Sequence, residues 1–368
     1  MDLLRRFSFG VNIDATWRYT GVQEPKSIIF PHLLSLSLKE RGSFERVEEA
    51  TIAAHHQANP ASEPERAALA LADSLKSIGA DFVRCWFPWR FFEPTPLPEG
   101  SLSSLLDRGY ERWPTDGLVK SLKDQGISII PVLACGYQRM LPEGLSPDAG
   151  PDSYLRRAYL HARTVVRHYK DTINTWQIEN EPNWWRMHEV GGWRTGASWI
   201  EEGGFRDELL KVLNDAVHEE DPGATTMVNL EADEEKSSPS EYARFCDVLG
   251  LDFYPNYTSS EPVDASVIRR AKAVVTETSK PVMIAETGYP SGPSVLGYSE
   301  EKQSEYVAMA LNEAHSLDGV TAVGIWRYLD TSWTSFPPQE NHFGLIDEKK
   351  GPKKAWYRFG EALKELRG

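Results

Sequence analysis

The chain has 368 residues, 40% hydrophobic and 26% charged, with 40 Lys and Arg against 54 Asp and Glu for a net charge of -14. Those proportions exclude a disordered chain, and no apolar run approaches the roughly 18 residues that a membrane span needs. An acidic surface repels phosphate backbones, so no nucleic acid and no membrane are expected as partners. An anionic polymer is also disfavoured as substrate unless a local basic pocket overrides the average.

In chain order, short β-branched or aromatic runs alternate with segments of helical period. The runs are Phe7–Asp14, Asp81–Phe87, Ile127–Ala134, Ile173–Asn180, Ala224–Leu230, Asp247–Tyr254, Pro281–Glu286 and Val320–Trp326. The helical segments are Glu65–Ile78, Thr115–Gln125, Asp152–Tyr169, Phe205–Glu219, Pro239–Phe245, Val263–Thr278, Glu300–Ser316 and Ala355–Leu366. Several runs are apolar nearly throughout, as parallel strands buried on both faces should be. Eight βα units in a chain of this length predict a closed (β/α)8 barrel. The competitor, an open doubly wound sheet, usually carries a Gly-rich phosphate loop after its first strand. Here that segment reads Ala-Thr-Trp-Arg-Tyr-Thr-Gly, from Ala15 to Gly21. With no linker, repeat or low-complexity tract, one domain over residues 1–368 is expected.

The connections are uneven. Trp17–Pro64, Pro88–Pro114, Cys135–Pro151, Pro182–Gly204, Thr287–Ser299 and Arg327–Lys354 follow strands and are long. The returns from helix to strand are short. In a barrel the βα loops form the working face, so the elaboration lies at one end. Cys85, Cys135 and Cys246 are odd in number and lack CxxC spacing, so free thiols are expected rather than disulfides or structural zinc. The first ten residues contain no signal-peptide pattern, which points to the cytoplasm. No HxH or HExxH pattern is present, His55 and His56 fall in the first long loop, and neither a metal nor a cofactor is implied.

The fourth run ends Trp-Gln-Ile-Glu-Asn-Glu-Pro, from Trp176 to Pro182. The seventh continues as Ile-Ala-Glu-Thr-Gly-Tyr-Pro, from Ile284 to Pro290. Each closes on a carboxylate, Glu181 and Glu286, 105 residues and three βα units apart. Strands four and seven face each other across a barrel mouth, so both carboxylates can address one ligand. Two carboxyl groups flanking a bond, one protonated and one ionised, are what glycoside hydrolysis requires.

Asn180-Glu181-Pro182 on strand four, with Glu286 on strand seven, resembles the large (β/α)8 superfamily of retaining glycosidases called clan A. Cellulases, β-mannanases, β-galactanases, β-glucanases and β-galactosidases belong to it. The resemblance implies that Glu181 is the general acid/base and Glu286 the nucleophile, acting on a β-linked carbohydrate. It implies that Asn180 binds the sugar 2-hydroxyl, that Trp326 floors the reacting sugar, and that Tyr254 donates to Glu286, with Tyr257 as rival. Arg84 is an ionic residue in the otherwise apolar Phe82-Val-Arg-Cys-Trp-Phe run and should have a carboxylate partner; the superfamily often places an Arg on strand two beside the nucleophile. Asp14, ending strand one, is expected to bind a sugar hydroxyl or to satisfy Arg84. Glu179 reads as structural, on the same strand side as Glu181. The Glu234-Glu235-Lys236 run reads as a solvated loop.

Nine of the 12 Trp residues lie in or beside βα loops: Trp17, Trp86, Trp89, Trp184, Trp185, Trp193, Trp199, Trp326 and Trp333. Trp86 and Trp184 are expected among the residues that stack on sugar rings, while other loop aromatics pack the loops themselves. Two competing readings stand beside the glycosidase. One is a carbohydrate-binding barrel without catalysis. The other is a barrel enzyme using metal or phosphate, for which no motif speaks. Glucan, mannan and galactan, and endo against exo action, stay open.

Overall fold

A computed structural model describes residues 6–13, 18, 20, 64–137, 140–145, 150–183, 204–232, 238–330, 337–347 and 349–368. Eight parallel strands close into a barrel in sequence order: β1 (Ser8–Ile13), β2 (Phe82–Trp86), β3 (Ser128–Val132), β4 (Thr175–Asn180), β5 (Thr225–Glu231), β6 (Val248–Phe253), β7 (Val282–Thr287) and β8 (Val320–Ile325). β8 pairs with β1 to complete the ring. Each strand lies within two residues of its expected limits. The outer ring among the described residues includes α1 (Pro64–Ser77), α2 (Trp89–Phe92), α3 (Glu99–Leu102), α4 (Leu105–Arg108), α5 (Asp116–Asp124), α6 (Pro151–Tyr169), α7 (Gly204–Glu220), α8 (Pro239–Ala243), α9 (Ala271–Thr278), α10 (Glu300–His315) and α11 (Lys354–Arg367). No described helix is long and apolar enough to cross a membrane. The three cysteines are free and buried.

Two expectations are revised. The predicted helix over Val263–Thr278 is a 3-10 turn, Ser266–Arg270, followed by the shorter α9. Asp264 accepts from the Ser266 N–H and hydroxyl through its two carboxylate oxygens, which starts the helical segment later than periodicity alone suggests. The Pro88–Pro114 connection, expected as loop, contains α2, α3 and α4. These helices are four residues each, too short to show a helical period.

Two apolar layers and one polar layer organise the barrel. Between strands and helices lies a continuous outer core that includes Val83, Trp176, Ile178, Leu249 and Phe359. Inside the barrel, Phe82, Ile130, Met227, Val248, Met283, Ala285 and Ala322 form a separate apolar cluster. Nearer the C-terminal ends of the strands the buried residues turn polar: Asn12, Arg84, Gln177, Asn180, Asn229, Asp252 and Glu286. Burying so many polar groups is favourable only if they satisfy one another.

The interior fits tightly at Gly250. A Cβ there would lie 2.6 Å from Asn229 Cβ and 2.9 Å from Asn229 Cα, so backbone has to move. Gly250→Ala is therefore expected to cost about 1–3 kcal/mol of stability through overpacking. Urea denaturation of the purified variant checks this; an unchanged midpoint would mean that β5 and β6 separate more freely than their packing indicates.

Candidate active site

Glu286 is the penultimate residue of β7 and is 5% exposed. Its Oε1 accepts from Arg84 Nη1 at 2.6 Å, and its Oε2 accepts from the Tyr254 hydroxyl at 2.5 Å. Arg84 therefore has the carboxylate partner its setting in β2 demanded. Its other donors are fixed as well: Nε to Gln177 Oε1 at 2.5 Å, Nη1 also to Asn12 Oδ1 at 3.1 Å, and Nη2 to Asn180 Oδ1 at 2.6 Å. An Arg side chain offers its donors in a rigid planar fork, so these bonds orient the guanidinium and, through it, one oxygen of Glu286. Between the two rival tyrosines, Tyr254 is the one on Glu286. The Tyr257 hydroxyl instead bonds Glu340.

Glu181 follows the last residue of β4 and is half-buried. Its backbone takes a φ of 43°, the left-handed region that non-glycine residues rarely occupy. Such a conformation costs on the order of 1–3 kcal/mol unless its surroundings enforce it. Here the Glu181 N–H donates to Asn229 O at 3.1 Å and to Asn229 Oδ1 at 3.2 Å, which pins the turn to β5. Asn180 Nδ2 donates to Glu181 Oε2 at 3.2 Å and to the Tyr137 hydroxyl at 3.0 Å. Burial, and then the negative charge of Glu286, push the Glu181 carboxyl up to about 7.

Glu179 is fully buried. On simple alternation it shares a side with Glu181, but β4 slips in register against β5 between Gln177 and Glu179. Beyond the slip, the Glu179 carboxylate accepts from the Gly136 N–H at 2.5 Å and from its neighbour's Asn180 N–H at 3.2 Å. Glu179 is thereby tied to the β3 loop. Desolvation outweighs both donors and raises its carboxyl to about 8.

Trp326 follows β8, is half-buried, and donates its backbone N–H to Thr287 O at 2.8 Å. The Arg327 guanidinium lies 5.5 Å from the Trp326 ring centroid, and the peptide between them is cis. Trp86 ends β2, is 6% exposed, and meets Tyr137 edge-on at 5.6 Å, so it supports the ring of Tyr137 beneath Asn180. Trp89 is wholly buried; it stacks on His161 and donates to Glu93 Oε2 at 2.8 Å, a loop-packing role. Asp14, Trp17, His55, His56, Trp184, Trp185, Trp193, Trp199, Glu234, Glu235, Lys236 and Trp333 lie outside the described residues.

Sequence reasoning missed five side chains of this network: Asn12, Tyr137, Gln177, Asn229 and Asp252. Asn229 is its second hub. Its Nδ2 donates to Asn180 Oδ1 at 2.9 Å and to Asp252 Oδ2 at 2.5 Å, while its Oδ1 accepts from Gln177 Nε2 at 2.5 Å. The signal was the one that singled out Arg84. Asp252 is a polar residue in the otherwise apolar β6, and Gln177 and Asn229 are polar residues flanked by apolar ones in β4 and β5.

No family model and no curated protein matches the chain. Solved structures do share its fold. A GH5_18 protein from Streptomyces cattleya, solved with GlcNAc, superposes with a TM-score of 0.65 at 18% identity, over 99% of this chain and 81% of that one. GH5_18 from Bifidobacterium longum subsp. longum gives 0.65 at 16% identity, over 99% and 80%. An exo-β-1,4-mannosidase from an Opitutaceae bacterium gives 0.59 at 19%, over 83% and 56%. The barrel expected from the strand count is thus an architecture that this chain shares with those proteins.

The raised Glu179 carboxyl has a consequence for stability. Its folded value, about 8, lies above the ordinary carboxylate value of 4.5. The folded state therefore keeps a proton that the unfolded chain releases, and this contribution to stability is full below about 4.5 and lost as pH rises through 8. Glu179→Gln cannot accept both N–H groups, so it should cost about 1–3 kcal/mol at pH 5. That deficit should narrow toward pH 8, because only the wild type loses stability over this window. Denaturation of both proteins at pH 5, 6.5 and 8 checks it; a deficit that widens with pH would contradict a neutral Glu179.

Proposed function

We propose that the protein is a retaining β-glycoside hydrolase that works through a covalent glycosyl-enzyme, with Glu286 as nucleophile and Glu181 as acid/base. The observation that carries this reading is the contrast between the two carboxyls. Glu286 is held by a guanidinium and a phenol, which compensate its charge and aim its oxygens. Glu181, at about 7, is divided between its acid and base forms near neutrality.

The chemistry follows from that contrast. Protonated Glu181 gives its proton to the leaving oxygen while Glu286 attacks the anomeric carbon. Once Glu286 is esterified its charge is gone, and one of the causes that raise Glu181 disappears with it. Glu181 is then better able to stay ionised, as the second step requires, and it takes a proton from water as that water attacks the sugar. In this reading Asn180, held by Arg84 and Asn229, meets the sugar 2-hydroxyl, and half-buried Trp326 serves as a stacking surface. The fold neighbours include a GH5_18 variant solved with Manβ1-4GlcNAc and an exo-β-1,4-mannosidase. β-Mannosides therefore head the substrates to try, ahead of β-glucosides and β-galactosides.

The test is hydrolysis of a panel of aryl β-glycosides and β-linked oligosaccharides by wild type, Glu286→Gln and Glu181→Gln. Wild type should release sugar with net retention, and its kcat/KM should fall as pH climbs past about 7, where Glu181 loses its proton. Glu286→Gln should lose at least roughly a thousandfold in kcat. Glu181→Gln should fail on poor leaving groups and recover part of its rate on activated aryl glycosides. Sugar binding without turnover would favour a binding barrel, and an inverted product or an active Glu286→Gln would overturn the mechanism.

A further inference from the structure

A third carboxyl stands beside the pair. Asp252 lies on β6, directly in register with Glu231 of β5 on one side and Glu286 of β7 on the other. It is fully buried. Its Oδ2 accepts from Asn229 Nδ2, and its carboxyl is within hydrogen-bonding reach of the Glu181 carboxyl. Its Oδ1 finds no donor among the described residues. No cation among the described residues bonds it either, and the Arg84 bonds go to Asn12, Gln177, Asn180 and Glu286.

Two carboxylates in contact repel, and an orphaned buried carboxylate oxygen is costly. Both difficulties vanish if Oδ1 carries a proton and Glu181 accepts it. We propose that Asp252 is a neutral carboxylic acid at neutral pH and donates a hydrogen bond to Glu181, making it a positioning residue for the acid/base. The inference rests on the glycosidase reading for Glu181's role, but the proton arrangement does not depend on turnover.

The charges around the pair agree with this placement. Asp252 is raised well above the ordinary range first by burial, then by Glu286 and Glu181, with Arg84 opposing the rise and Glu231 adding to it. Glu181 feels Glu286 and, from the Pro338–His342 turn, Glu340, both raising it, against Asp252 and Arg84, which lower it. Asp252 therefore keeps its proton while Glu181 exchanges one. In the first chemical step the Glu181 proton goes to the leaving oxygen, and the Asp252 O–H stabilises the carboxylate left behind. In the second, water gives a proton to Glu181 and its hydroxide to the anomeric carbon, Glu286 departs as carboxylate, and the Asp252 proton stays in place.

Two substitutions separate a neutral donor from an anion. Asp252→Asn keeps a donor of the same shape, so the Glu181 midpoint should stay within about half a pH unit. Asp252→Leu removes the donor, so the midpoint should rise by about one unit, the equivalent of one hydrogen bond to the charged form. The midpoint is read by carbon-13 NMR of glutamate carboxyls, assigned by the signal missing in Glu181→Gln, and independently from the alkaline limb of kcat/KM. If Asp252 were ionised, both substitutions would remove a negative charge and lower the midpoint, which would overturn the proposal. Two unmoved midpoints would overturn it as well. Should Asp252→Leu not fold, labelled aspartate decides in the wild type: the signal missing in Asp252→Asn should sit in the protonated range at pH 7, and a carboxylate shift there ends the idea. Failure of every glycoside to turn over would count against the glycosidase reading alone, since the NMR arm needs no substrate.

Discussion

The Arg84 guanidinium is 1% exposed and directs its donors to Asn12, Gln177, Asn180 and Glu286, so that β1, β2, β4 and β7 converge on one buried cation. Taking a guanidinium out of water is tolerable only with a charge partner and nearly complete hydrogen bonding. Each of the four acceptors is thereby committed. Asn180 can turn only its amide nitrogen toward Tyr137 and Glu181, and Glu286 keeps one oxygen for Tyr254. Removing this cation would leave a buried carboxylate uncompensated and release the side chains above it.

A second constraint is the excess of acid over base in the mouth. Among the described residues, Glu181, Asp252 and Glu286 crowd one end of the barrel with a single Arg bonded into the cluster, and Glu231 and Glu340 add further negative charge. Such a cluster lowers its electrostatic cost by binding protons, and those protons settle where burial is deepest and cations are farthest. Glu286 is the member of the three that bonds Arg84. Glu181, half open to the mouth, is left near the balance point. The raised proton affinities of Glu181 and Asp252 thus arise from burial and from neighbouring negative charge, with no special chemistry in either of them.

Asn229 links these two constraints. It fixes the Glu181 backbone in its left-handed turn, holds Asn180 and Gln177 by their amides, and contacts Asp252. Gly250 lies against it because no side chain fits between β5 and β6 at that level. The acid/base geometry proposed for Glu181 therefore depends on the packing of β5 and β6, two strands that carry neither of the paired glutamates.

The barrel was legible in the sequence because each strand is a short apolar run and each helix repeats its apolar face, signals that local chemistry writes directly. The two glutamates were legible as carboxylates placed where apolar strands end, and Arg84 as a charge that an apolar strand does not hold without a partner. Helices of four residues were not, since less than two turns shows no period. Nor was the orientation of Glu179, because a one-residue slip between β4 and β5 overrides alternation and no local feature of β4 announces it. The partners of Arg84, the choice of Tyr254 over Tyr257 and the contact between Asp252 and Glu181 were decided only by closure of the barrel. Residues on β1, β2, β4, β5, β6 and β7 meet there across long stretches of chain. The sequence determines which groups are too polar to be buried alone; the tertiary structure determines which of them meet, and so which one keeps the proton.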